Sequence, residues 1–96
     1  MGLGIRVKNL RRDEILSFTD SPDDSFREMC NSAPWESLRR GVAQYGETLF
    51  NSLQLRRLVE ELESLPKGEA TPVVHEVIDA ARPAIRHSGY LHFIGD

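Results

Sequence analysis

Tyr45-Gly46-Glu47-Thr48-Leu49-Phe50-Asn51-Ser52-Leu53-Gln54-Leu55 reads as a turn, a short strand and a capped helix start. Asn51 has the side chain of an N-cap, and Gln54, three positions on, can reach back to the cap's N–H. Phe50 before the cap and Leu55 after it match a hydrophobic staple. Together they fix the point where a helix leaves a strand. Leu55, Leu58, Val59, Leu62 and Leu65 follow at i, i+3, i+4, i+7 and i+10. That apolar stripe predicts an amphipathic helix over 52–65, with Leu58 and Leu62 in the core. Pro66 and Gly68 stop it.

Working outward, Thr71-Pro72 reads as a second cap with proline at the first helical position. Val74, Val77, Ile78, Ala81 and Ile85 line the helix it opens. Pro83 lies inside that helix and predicts a kink or a split, because it removes the bond to the Asp79 carbonyl. Ser88-Gly89 closes the helix, and Tyr90-Leu91-His92-Phe93-Ile94 is a strand, expected inside the sheet. At the other end, Leu3, Ile5 and Val7 alternate with Gly4, Arg6 and Lys8. A polar turn leads to Ile15-Leu16-Ser17-Phe18-Thr19, and the pair predicts a β-hairpin. Ser21-Pro22-Asp23-Asp24 has the residues of a helix start, with Phe26, Met29 and Cys30 on the apolar face.

Residues 34–44 read two ways. Pro34-Trp35-Glu36-Ser37-Leu38-Arg39-Arg40-Gly41 suits a helical turn closed by glycine. Leu38-Arg40-Val42-Gln44 suits a strand, and a strand over Arg39–Gln44 is the favoured reading because Thr48-Leu49-Phe50 needs a partner. The whole pattern predicts one α+β domain over residues 1–96, a small mainly antiparallel sheet with a pair of amphipathic helices on one face. The run Arg40-x-Val42-x-x-Tyr45-Gly46-Glu47-Thr48-x-Phe50-Asn51, the helix ending Glu60-Glu61-Leu62 and the terminal Ile94-Gly95-Asp96 resemble a group of small bacterial proteins with no assigned activity. The likeness covers about a third of the chain. It implies the fold and no functional residue.

Composition narrows the function classes. The 40% hydrophobic and 28% charged fractions suit a folded domain rather than a disordered one. Twelve basic and 15 acidic residues give a net charge of −3 with no basic block, a poor match to non-specific nucleic-acid binding. The single cysteine, Cys30, rules out an internal disulfide and fits a reducing compartment. No apolar run has the length of a signal peptide or a membrane span, which predicts a cytoplasmic protein.

Chemistry is harder to find. His75 and Asp79 share a helix face at i, i+4, but a metal would need further ligands, for which His92 and Asp96 are the candidates. A solvated face is the simpler account, so no metal and no cofactor are expected. Cys30 sits with apolar neighbours and reads as core rather than nucleophile. Three arginine pairs, Arg11-Arg12, Arg39-Arg40 and Arg56-Arg57, could converge on an anion. Arg56 and Arg57 read as first-turn residues and Glu60, Glu61 and Glu63 as last-turn residues, each opposed by the helix dipole. Arg56–Glu60 and Arg57–Glu61 offset part of that cost. Trp35 either covers the core edge, the first expectation, or stands exposed as an interface anchor.

These features predict a non-enzymatic protein-binding role, as an adaptor or an immunity-like masking protein, through a surface of Arg56, Arg57, Glu60, Glu61 and Trp35. Self-association is compatible with the same features. The alternatives are a small enzyme with a His/carboxylate site, or an anion or nucleic-acid binder using the paired arginines.

Overall fold

The computed structural model describes residues 3–43 and 45–95. Four strands form one antiparallel sheet: β1 (Gly4–Lys8), β2 (Glu14–Thr19), β3 (Gly46–Phe50) and β4 (Tyr90–Gly95). Their spatial order is β2-β1-β4-β3. The chain is α+β, as its apolar periodicity implies. The helices are α1 (Ser25–Asn31), α2 (Ser52–Glu63) and α3 (Pro72–Arg86). α2 and α3 pack on each other and on one face of the sheet, and α1 lies against α3.

The core follows the stripes. Leu3, Ile5, Val7, Leu91 and Phe93 come from the sheet, and Leu55, Leu58, Leu62, Val74, Val77 and Ala81 from the helix pair, all buried. Phe93 lies between two rings, stacked on Phe26 and edge-on to Phe50, each 5.8 Å away between centroids. Leu65 is only half-buried, because α2 ends two residues before it. Among the described residues no helix is long and apolar enough to cross a membrane.

Asn51 caps α2 as its sequence implies. Its Oδ1 accepts from Gln54 N–H at 3.0 Å, and the Asn51 N–H donates back to Gln54 Oε1 at 2.9 Å. Phe50 and Leu55, the staple pair, are both buried. At the end of α3, Ser88 takes the left-handed conformation at φ 56° and Gly89 N–H donates to Ala84 O at 2.8 Å. Glycine follows because a Cβ at position 89 would stand 2.3 Å from the Lys8 carbonyl oxygen. That contact lets α3 turn directly into β4 beside β1.

Several local expectations need correction. Residues 39–43 form no strand: Arg39–Gly41 is a 3₁₀ turn followed by extended chain, and Gln44 lies outside the described residues. β3 takes its partner from β4 instead, Thr48 facing Phe93 and Phe50 facing Leu91. The Ser21-Pro22 segment is a turn rather than the first turn of a helix. Asp24, at φ 56°, blocks continuation, and α1 starts at Ser25. The cap comes from upstream, where Asp20 accepts from Phe26 N–H at 3.0 Å and Arg27 N–H at 2.8 Å. Thr71 has the position of an N-cap, but its buried hydroxyl has no hydrogen-bond partner among the described residues. Pro83 does not split α3, which runs through it.

Candidate functional site

Of the predicted surface residues, Arg57, Glu60 and Glu61 line one recess where the segment before β3 docks on α2. Glu61 organises the junction. Its carboxylate accepts from Leu38 N–H at 2.7 Å and from Arg39 N–H at 3.1 Å, capping the 3₁₀ turn across 22 or more residues of chain. It also pairs with the Arg39 guanidinium at 3.1 Å and with Arg57 Nε at 3.5 Å. Arg57 reaches further and donates to Glu36 O at 3.1 Å. The residues from 36 to 39 are thereby tied to α2 from both sides.

That docking explains charges that looked misplaced on the helix alone. Arg56 and Arg57 lie in the second turn of α2, counted from Ser52, not the first, so the dipole opposes them little. Glu61 sits near the C-terminal end because two backbone N–H groups and two guanidinium groups converge there. Its position is therefore a feature of the fold. Arg56 and Glu60 make no ion pair among the described residues, and both are exposed.

Trp35 reverses its first expectation. It does not cover the core; it is 78% exposed. Arg40 lies over its ring at 4.7 Å from the centroid while donating to Ala33 O at 2.9 Å. The contact favours this placement of the ring by about 0.5–1 kcal/mol, which lowers the ordering cost of binding. Leu53, on the first turn of α2, and Tyr45, with Arg27 over its ring, are also exposed, at 75% and 70%.

The arginine pairs are mostly engaged inside the chain. Arg39 and Arg57 share Glu61, Arg40 is committed to Trp35 and Ala33, and Arg12 stands over Tyr90. Among the described residues these four are committed within the chain, and Arg11 and Arg56 make no ion pair. The His75–Asp79 face is exposed, and no cluster of three His, Cys, Asp or Glu among the described residues could hold a metal. Asp96 lies outside the described residues.

Two polar features escaped the sequence reading. Asp20 is one, described above. The other is the pairing of His92, weighed above only as a metal ligand: it is 8% exposed, and its Nε2 donates to Glu47 at 2.6 Å. Its Nδ1 is buried and has no partner among the described residues. Glu47 lies one strand over, and the alternation of β4 does place His92 opposite to Leu91 and Phe93. No spacing in the chain joins residues 47 and 92, so the pair was not legible.

Cys30 is buried, and burial pushes its thiol up from the usual 9.0 to about 12, with a lowering influence from Arg39 and smaller raising ones from Asp20 and Glu61. Below pH 9 the thiol is protonated in both states and its contribution is intact. As pH rises from about 9 toward about 12 the unfolded chain ionises first, so stability falls, with a limiting slope of about 1.4 kcal/mol per pH unit. Unfolding titrations should show a steeper alkaline loss for the native chain than for Cys30→Ala. A folded-state thiol that reacts with a disulfide reagent at pH 8 as fast as the unfolded one would contradict this.

No protein-family model matches the chain, nor does any curated protein or any solved structure.

Proposed function

We propose that the protein acts by binding another protein, in an adaptor or immunity-like masking role, with Trp35 as the anchor and Arg56, Arg57 and Glu60 as a charged border. One observation carries the reading: a tryptophan 78% exposed on a segment pinned by Glu61 and Arg57. Exposed aromatic area costs solubility, and holding it rigid offers nothing to the fold itself. Pre-organised tryptophan and arginine are the side chains that dominate protein interfaces. Glu61 belongs to the scaffold that positions this surface rather than to the surface.

The paired-arginine alternative loses support from the engagement of those side chains within the chain. The His92–Glu47 contact is the pair an enzymatic reading would use, but Nε2 is tied up and Nδ1 is buried.

The test is to recover stoichiometric partners from native cytosol and titrate the purified partner against variants. Trp35→Ala should weaken binding by roughly 30-fold or more, the loss of about 2 kcal/mol typical of a hot spot. Reversing both Arg56 and Arg57 to Glu should slow association and change its salt dependence. Trp35→Ala should melt near the native temperature, whereas the double reversal, which removes the Arg57 bonds and sets a glutamate beside Glu61, should melt somewhat lower. A partner indifferent to both changes would remove this surface from the account, and recovery of nucleic acid instead would favour the arginine-pair reading.

A further inference from the structure

A second surface, away from Trp35, concerns the open edge of the sheet. The sheet has two edges, and they are treated differently. Along β3 the incoming segment lies close, with Ala43 N–H donating to Thr48 Oγ1 at 2.8 Å. Along β2, which pairs only with β1, no other strand among the described residues meets the edge, and Ile15 and Leu16 are 65% and 53% exposed. Edge strands usually carry lysine, proline or an inward charge as protection. β2 reads Glu-Ile-Leu-Ser-Phe-Thr and has none of these beyond an irregularity at its start, between the pairs of Val7 and Lys8.

The ladder fixes which groups the edge offers. Asp20 N–H donates to Leu3 O, and the same register sets Phe18 opposite Ile5 and Leu16 opposite Val7. Alternation along an antiparallel strand then turns the N–H and C=O groups of Ser17 and Thr19 outward. On the helix side of this edge runs an apolar groove of about 440 Å³, with Val7, Leu16 and Phe18 as floor and Ala80, Pro83 and Ala84 as wall.

We propose that β2 is a self-association edge, where two copies pair β2 to β2 antiparallel about a two-fold axis at Ser17. With Ser17 facing Ser17, the outward groups of Ser17 and Thr19 enter the new ladder. Leu16 of one copy then faces Phe18 of the other on the helix side, so the two grooves merge into one apolar layer. The occupant is a second copy because the strand is charge-complementary to itself. Its first end carries Lys8, Arg11 and Arg12 against Asp13, Glu14 being held by Arg6 at 3.5 Å. Its far end carries Asp23, Asp24 and Glu76, with Glu76 lining a recess beside Phe18 and Thr19. Glu76 makes no ion pair among the described residues. Antiparallel pairing sets each basic turn against the other copy's acidic end, whereas parallel pairing would set like against like.

Sedimentation equilibrium should give twice the 10.9 kDa chain mass, falling toward one chain on dilution. Leu16→Lys should give the single-chain mass at every concentration with a nearly native melting curve, since Leu16 is already exposed. Reversing Arg11 and Arg12 to Glu should loosen the dimer by at least about tenfold, and adding Glu76→Lys should restore part of that loss. Trp35→Ala should leave the dimer intact, which separates this outcome from the partner-binding one. A native chain that stays monomeric, a dimer that survives Leu16→Lys, or a dimer dissolved by Trp35→Ala would each overturn the proposal.

Discussion

Phe93→Ala should bring the protein to the margin of unfolding. Phe93 is fully buried on β4, an inner strand, and meets Phe26 and Phe50 in two ring contacts. Truncating a buried phenylalanine costs about 3–5 kcal/mol through lost transfer energy and the cavity left behind. The two aromatic pairs add to that, at roughly 0.5–1.5 kcal/mol each where they exceed simple burial. A domain of this size has only about 5–15 kcal/mol to lose. The neighbours cannot relax into the space easily, because Phe26 is held by the Asp20 cap and Phe50 by the start of α2. Phe93→Leu fills most of the volume and should cost much less, about 1–2 kcal/mol. Urea unfolding followed by circular dichroism measures both. A loss below about 1 kcal/mol for the alanine variant would mean that the core is not centred on β4.

The parts of this fold that were legible share one property: their signals are local. The Asn51–Gln54 box, the stripe through Leu55, Leu58 and Leu62, and the alternation around Leu91 and Phe93 each lie within a few turns of chain. All three are present in the structure. The strand assigned to 39–44 failed because it was inferred from need. β3 required a partner, and the nearest candidate in sequence was chosen over β4, which lies 45 residues away along the Glu47–His92 contact. Leu38 and Arg39 carry no mark that their N–H groups will be satisfied by a glutamate on a helix.

The surface around Trp35 shows the same limit from the other side. Residue types pointed to Arg57, Glu61 and Trp35, and the structure does bring Arg57 and Glu61 together against the segment that carries Trp35. Their roles divide differently from what charge order alone implied. Glu61 looked like a misplaced surface acid and is instead a cap for another segment. Trp35 looked like core cover and is exposed. Deciding between core and surface for one aromatic in irregular chain requires knowing what lies opposite, and no periodicity carries that information.

Asp20→Ala should cost about 2–4 kcal/mol, a large loss for a residue at the end of an edge strand. The carboxylate is buried at 6% exposure and accepts three backbone N–H groups, from Ser21 at 2.8 Å, Phe26 at 3.0 Å and Arg27 at 2.8 Å. It does so because Asp24 adopts the left-handed conformation and forms no side-chain cap of its own: Ser25 N–H donates to Ser21 Oγ at 3.2 Å, which leaves the Phe26 and Arg27 N–H groups to Asp20. Alanine would strand those donors beside Phe26, whose ring is in the core, so water can reach them only if α1 lifts away. Asn is the informative comparison. It preserves shape, but one of its two terminal atoms donates, so either the Arg27 bond or the bonds to Ser21 and Phe26 must be lost. The order of stability should therefore be Asp, then Asn, then Ala, with the Ala melting temperature lowered by roughly 10 °C or more for a domain of this length. Because α1 packs on α3 and places Phe26 on Phe93, hydrogen exchange of α1 should rise first in both variants. An Ala variant within about 1 kcal/mol of the native chain would show that these amides are solvated, and that α1 is held by its apolar face alone.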